Sequence, residues 1–202
     1  MMPLFPVLRA NTIVQGGTKV ERAEAYNLVK KHIKNKNLIK HMLATEAVMG
    51  GLAKRCAANV EMWRLAGLVH DLDYDQTAEQ PEQHGLLAAK MLQELSFPAE
   101  IIQAVRAHNG LLGYERTSSL DQALYAADPV TGLIVAAALI HPNKKLSAID
   151  SRFVLNRFAE KHFARGASRE QIESCSRLGL SLEEFIGISL EAMQNASVEL
   201  GL

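Results

Sequence analysis

The stretch Leu38-Ile39-Lys40-His41-Met42-Leu43-Ala44-Thr45-Glu46-Ala47-Val48-Met49-Gly50-Gly51-Leu52 sets the fold class. Leu38, Met42, Thr45, Val48, Met49 and Leu52 recur at three- and four-residue spacing, the period of a helix with one face against a core. The same reading extends outward in both directions. It predicts helices over 60–69, 82–95, 98–108, 122–139, 150–162 and 168–178, with a last one from Leu182 towards Leu200. Helix-start chemistry recurs beside them. Thr18-Lys19-Val20-Glu21 reads as a capping box opening a helix through about Ile33, and Ser119-Leu120-Asp121-Gln122, Ser168-Arg169-Glu170-Gln171 and Ser181-Leu182-Glu183-Glu184 repeat the device. Gly16-Gly17, Gly110, Gly113, Pro142 and Gly179 stand between helices, and only Asn11-Thr12-Ile13-Val14 has the β-branched character of a short strand. The expectation is an all-α protein of about eight to ten helices.

Composition narrows the function classes. The 202 residues carry 22 Lys+Arg against 22 Asp+Glu, a formal net charge of zero. A protein that grips a nucleic acid polymer through its phosphates needs a clustered basic excess, so none is expected as a partner. Aromatic residues make up 5% of the chain, too few for a run of stacked bases, and 48% hydrophobic residues exclude a disordered chain. Cys56 and Cys175 are solitary, with no Cys-x-x-Cys, which points to two structural thiols in a reducing cytoplasm. The longest uninterrupted apolar run, 133–140, is too short to span a bilayer, and residues 1–6 lack the basic start of a signal peptide. The expectation is one domain over 1–202 in the cytoplasm, with no membrane association.

The chemistry-bearing residues are histidines and acids. The chain has seven histidines. The sequence Val69-His70-Asp71-Leu72-Asp73-Tyr74-Asp75 follows an apolar helix and puts two metal-capable side chains at the edge of a core. His41 lies inside the amphipathic run, His84 opens the helix beginning Gly85-Leu86, and His108 ends the helix over 98–108. Asp128 sits in the apolar context Leu124-Tyr125-Ala126-Ala127-Asp128-Pro129-Val130. A buried carboxylate without a partner costs several kcal/mol, so Asp128 wants a cation. It also fits a purely structural use, as the N-cap of a fresh helix with Pro129 in its first turn. His70 and His108 at helix C-termini suit the dipole without any metal. Asp73 and Asp75 read equally as solvated loop acids. The run Lys30-Lys31-His32-Ile33-Lys34-Asn35-Lys36 is a solvated helix end or an attraction for an anion.

The ordered set His41 … His70-Asp71 … His84 … His108 … Asp128, over about 38–140, resembles the HD superfamily of metal-dependent phosphohydrolases. Leu68-Val69-His70-Asp71 and Ala126-Ala127-Asp128 are similar to that family's signature blocks. Residues 161–170 (Lys-His-Phe-Ala-Arg-Gly-Ala-Ser-Arg-Glu) resemble the tail of small HDIG-type proteins. The resemblance implies an HD-type helical bundle with helices over about 147–200 packed on the metal core or forming a homodimer face. It implies that His41, His70, Asp71 and Asp128 hold one divalent transition metal. Asp71 would bridge to a second ion completed by His84 and His108. Imidazole and carboxylate donors together suit Fe, Mn, Co, Ni or Zn.

The implied reaction is attack of a metal-activated hydroxide on a phosphoester or phosphoanhydride of a small phosphorylated molecule, most specifically a nucleotide such as diadenosine tetraphosphate. Asp71 is then the central catalytic acid, and Asp73 and Asp75 are candidates to order water or donate a proton. The Lys that follows His-Asp in many such hydrolases is missing, which leaves Arg106, Lys144, Lys145 and Arg165 as the candidate anion binders. Two other readings use the same ligands: a di-iron oxygenase, and a non-catalytic module that binds a nucleotide or metal.

Overall fold

The computed structural model describes residues 20–202. Among these residues the chain is helical throughout and contains no strand, as the periodicity predicts. The possible strand over 11–14, residues 1–6 and Thr18 of the first capping box lie outside the described residues. The helices are α1 (Arg22–His32), α2 (Lys36–Arg55), α3 (Val60–Val69), α4 (Tyr74–Thr77), α5 (Leu86–Glu94) and α6 (Ala99–Ala107). They continue with α7 (Ser119–Ile140), α8 (Ser151–Ala159), α9 (Arg169–Glu173), α10 (Leu182–Asn195) and α11 (Ser197–Leu200).

Their starts are chemically marked. Asn35, Asn59, Ser118, Asp150, Ser168 and Ser181 each place a side-chain oxygen on a backbone N–H just inside the helix. Two boxes sit away from their expected places, by three residues at α1 and by one at α7. Helix α1 is capped by Glu21 with Glu24, and α7 by Ser118 with Asp121. The helix expected from residue 82 begins only at Leu86, because Gly85 takes a φ of +85° that interrupts the helical path.

Helix α7 is the centre of the bundle and packs on α2, α6, α8, α9 and α10. It does not restart at Pro129; it runs through it. Pro129 removes one donor from the ladder, and Asp128 is therefore not an N-cap. Taken as a whole, α7 is long and apolar enough to cross a membrane, although its longest uninterrupted apolar run is short. Most of it is buried inside the protein, the position of a core helix. Helices α8 and α10 pack on α7, and α10 also covers α2. The core joins Val48, Leu52, Leu68, Val105, Leu133, Ile134 and Phe185, all fully buried. Each such side chain contributes about 1.5–3 kcal/mol relative to exposure. Cys175 is buried in this core and Cys56 lies at its margin, both as free thiols.

Two features fix α2 against its neighbours. The buried carboxylate of Glu46 accepts from Arg22 and, at 2.8 Å, from Arg64, tying α1, α2 and α3 together. On α3, Gly67 allows near contact of backbones: a Cβ there would lie 2.7 Å from the Thr45 carbonyl oxygen. The obstacle is backbone and cannot swing away. Gly67→Ala is expected to destabilise the fold by about 1–3 kcal/mol, despite alanine's better helix propensity. A denaturation midpoint equal to or above that of the parent chain would show that α2 and α3 have room to separate.

Candidate metal centre

The bundle turns five helix-linked positions toward one point. His41 projects from α2, about one turn before the Thr45–Gly67 crossing fixes that helix. His70 and Asp71 follow the last turn of α3. His84 sits in the turn before α5, His108 caps the C-terminus of α6, and Asp128 projects from the middle of α7. The Asp71 carboxylate lies among the four imidazoles. Its Oδ1 is 3.3 Å from His70 Nε2, 3.3 Å from His84 Nε2 and 3.5 Å from His108 Nε2. Its Oδ2 is 3.6 Å from His41 Nε2. Asp128 Oδ1 adds contacts of 3.0 Å to His41 Nε2 and 3.8 Å to His70 Nε2.

The outer nitrogen of every ring is already committed. His70 Nδ1 donates to the Gly67 carbonyl at 2.8 Å, and His108 Nδ1 donates to the Val105 carbonyl. His84 Nδ1 donates to the buried Asp73 carboxylate at 2.9 Å. His41 Nδ1 meets Thr131 Oγ1 at 2.9 Å. That hydroxyl spends its own proton on the Asp128 carbonyl, so His41 is the donor. In neutral rings these bonds place all four Nε2 lone pairs inward. Two pairs then face each other nitrogen to nitrogen, His41–His70 at 3.2 Å and His84–His108 at 3.0 Å. Only a cation or a proton between such lone pairs makes the arrangement favourable.

The donor set fits a metal. Three groups, His41–His70–Asp71, His70–His108–Asp128 and Asp71–His84–His108, each offer donor atoms within 4.8 Å of one another. Neighbouring donors at 3.0–3.8 Å match the edges of a coordination polyhedron with bonds of about 2.0–2.2 Å. Asp71 belongs to both ends of the centre. His41, His70 and Asp128 stand at one end, and His84 and His108 at the other. The set therefore has room for two ions that share one carboxylate.

Electrostatics point the same way. Burial opposes charge on His70, but the charge of Asp71 and the hydrogen bond that the ring donates to Asp128 outweigh it and push the ring up to about 9. Burial likewise opposes charge on His84, and its bonds to Asp71 and Asp73 raise it to about 10. Burial would raise Asp71, yet the charge of His70 and the hydrogen bonds of His108 and His84 hold it well below the usual carboxylate range. Asp128 is lowered in the same manner by His41 and His70 against its burial. Protons thus occupy, in the metal-free protein, the place a cation takes in the loaded one.

The remaining sequence candidates lie elsewhere, and the structure corrects several of them. Asp73 is fully buried and accepts from His84 Nδ1, from Gly85 N–H at 2.8 Å and from Ala88 N–H at 2.9 Å. Both its oxygens are occupied, so it positions His84 and the start of α5 instead of handling water. Asp75 is exposed and accepts from the Lys34 backbone N–H at 2.6 Å, holding the α1–α2 connector against α4. Arg106 lies over the Tyr114 ring, 5.2 Å from its centre, and does not line the cavity. Lys144 and Lys145 are exposed beyond the end of α7. Asp128 lies twelve residues before that end, on the order of 18 Å along the axis. Neither lysine is at the centre. The cavity above it, about 360 Å³, is lined by Asn35, Leu38, His41, Asp71, Tyr74, His84 and Asp128.

Sequence reasoning missed Thr131, Gly67, the Val105 carbonyl, Asn35, Leu38 and Tyr74. For two of these the signal was present: Gly67 and Val105 stand three residues before His70 and His108, where a carbonyl meets a ring that reaches back along its own last turn.

A helical bundle whose paired imidazole and carboxylate donors share a buried aspartate is a protein built to hold divalent metal. The sequence profile of the HD domain matches residues 38–138, half the chain, and covers every one of the converging side chains. The chain belongs to the HD domain family, a superfamily of metal-dependent phosphohydrolases. It is also similar to Ribonuclease Y 2 of Levilactobacillus brevis, with 30% identity over 48% of this chain and 18% of that protein. Ribonuclease Y of Thermosipho melanesiensis is 28% identical over 79% of this chain and 25% of that protein. The chain thus spans a quarter or less of the length of these two relatives.

Two outcomes follow from the centre. Asp73→Asn leaves Gly85 and Ala88 N–H facing an amide, and it is expected to weaken metal binding at the His84 end about 10–100-fold with little change in helix content. Metal titration followed by circular dichroism checks both. In metal-free protein the stabilisation from charged His70 and His84 is fully present below their ordinary value of 6.5. It is lost as pH rises through about 9 and then about 10. Thermal unfolding with chelator should show that loss, whereas metal-loaded protein, whose rings are already deprotonated, should not.

Proposed function

We propose that the chain is a metal-dependent hydrolase of phosphoric esters or anhydrides, acting on a small nucleotide-like molecule. The observation that carries the reading is the convergence of His41, His70, Asp71, His84, His108 and Asp128, with every outer ring nitrogen already bonded. Fe, Mn, Co, Ni or Zn fits these donors best. When bound, such an ion lowers the pKa of water to near neutrality and offsets charge on phosphoryl oxygens.

The chain's own residues do the rest. His70 and His108 are buried and close the floor of the centre. His41, His84 and Asp128 are partly exposed, Asp128 by 28% of its side chain, and form the open side facing the cavity. A phosphoryl group entering there would be drawn by metal held on these donors, with the buried His70 and His108 rings between it and the apolar core. Thr131 and Asp73 keep His41 and His84 in the tautomer that leaves Nε2 free.

The similarity to proteins named Ribonuclease Y favours a second reading, in which the bond cleaved is an RNA phosphodiester. Among the described residues no lysine or arginine lines the cavity to follow an RNA backbone, which favours the small substrate. The deciding experiment loads the protein with each metal in turn and follows phosphate release from monoesters, cyclic nucleotides and anhydrides alongside cleavage of short RNA. Turnover of small substrates with RNA left whole supports the first reading, and RNA cleavage alone supports the second. Oxygen consumption by iron-loaded protein without phosphate release would replace both with an oxygenase. Asp71→Ala is expected to lose metal and to lower turnover more than about 100-fold. His162→Ala, at an exposed position beyond α8, should leave turnover intact.

A further inference from the structure

The wall of the cavity is of two kinds. His41, Asp71, His84 and Asp128 belong to the metal-ligand set, and the rest of the lining is Asn35, Leu38 and Tyr74. Beyond the centre itself, an entering molecule meets one amide, one aliphatic side chain and one aromatic ring. None of these carries a positive charge.

Tyr74 is the unusual member. It opens α4, and 43% of it is exposed to solvent. Its ring stands edge-on to the His84 imidazole, at 5.4 Å between centres and 87° between planes. The phenol makes no hydrogen bond among the described residues. Both chain neighbours are fastened. Asp73 is bonded to His84, Gly85 and Ala88, and Asp75 is bonded to the Lys34 backbone. A wet aromatic ring is thus presented at the mouth of a metal cavity on a backbone held from both sides. Leu38 lies one turn before His41 on α2 and supplies the other apolar surface.

We propose that Tyr74 is the specificity-determining residue of this cavity. Its ring, with Leu38, takes the flat uncharged part of a substrate that brings a single phosphoryl group to the centre. This rests on the phosphohydrolase reading and makes it narrower. A nucleobase has a face for Tyr74. A polyphosphate chain adds negative charges for which the wall offers only the Asn35 amide. A volume of about 360 Å³ also lies at the small end of ligand cavities, about 300–1,000 Å³. Nucleoside monophosphates and their simple esters fit this wall better than dinucleoside polyphosphates do.

The test is calorimetric binding to metal-loaded full chain, with adenosine 5′-monophosphate, ribose 5-phosphate and adenosine 5′-triphosphate as probes. The parent chain should bind the monophosphate more tightly than the other two. Tyr74→Ala should weaken the monophosphate about 10–100-fold and shift ribose 5-phosphate less than about twofold. Tyr74→Phe should retain the parent's preference, and metal content should be equal in all three proteins. Equal loss for monophosphate and ribose 5-phosphate in Tyr74→Ala would overturn the proposal, since it marks a structural role. Undiminished monophosphate binding in that variant, or tighter binding of triphosphate by the parent, would overturn it as well. Hydrolysis is read separately on the same samples. Tyr74-dependent binding without turnover under any metal sinks the hydrolase reading and leaves the recognition by Tyr74 standing.

Discussion

The Asp71 carboxylate, almost wholly buried and within 3.6 Å of four imidazole nitrogens, is the constraint to which the rest of the bundle answers. An ionised carboxylate in a helical core is costly unless its charge is met at close range. Here it is met by rings that arrive from α2, α3, α6 and the turn before α5. None of those rings bonds to Asp71 as a settled donor, since each has its outer nitrogen engaged elsewhere. The site is therefore complete only with positive charge inside it. Protons supply that charge in the bare protein, and a divalent ion supplies it more effectively.

The helices hold the rings by two different means. His70 and His108 lean back on carbonyls of their own last turn, an economy available to any helix end. His41 and His84 depend on side chains distant in sequence, Thr131 on α7 and Asp73 after α3. The first pair is fixed as soon as α3 and α6 form. The second pair is fixed only when the bundle closes, and it is also the pair that faces the cavity. The exposed half of the centre thus owes its geometry to tertiary contacts. Substitutions remote from the ligands reach the chemistry through that half.

Much of this was legible in sequence because helices announce themselves locally. Apolar spacing located α2, α3, α6, α7 and α10, and serine caps marked the starts of α7 and α10 to within a residue. The ligand set was legible through residue type and order, as a resemblance. What periodicity could not show was which acid has free oxygens. Asp73 and Asp75 look alike beside Asp71, and only the position of the 84–88 segment reveals that Asp73 is saturated with donors. Asp128 before Pro129 looks like a helix start, and only packing shows α7 continuing through the proline. Glu46 has the pattern of a surface residue on an amphipathic face, yet it is buried between two guanidinium groups contributed by α1 and α3. Lys144 and Lys145 were placed by charge alone, and Arg106 by charge and its place two residues before His108; neither encodes direction.

The absence of a basic side chain from the cavity among the described residues has a physical reason in the same carboxylate. A lysine or arginine in that wall would lie within a few ångströms of Asp71 and Asp128, and attraction at such range amounts to about 4 kcal/mol at an effective dielectric of 20. It would pair with the acids and compete with the ion for them. Several of the chain's cations are occupied elsewhere. Arg22 and Arg64 are on Glu46, Arg106 is on Tyr114, and the Lys34 ammonium is on the Lys31 carbonyl at 3.0 Å. Positive charge in the cavity is thereby reserved for the metal, and recognition of whatever accompanies the phosphoryl group falls to neutral surfaces. A site that must keep its own acids free for an ion can discriminate among phosphorylated molecules mainly by shape and apolar contact, which is the kind of wall that Leu38 and Tyr74 provide.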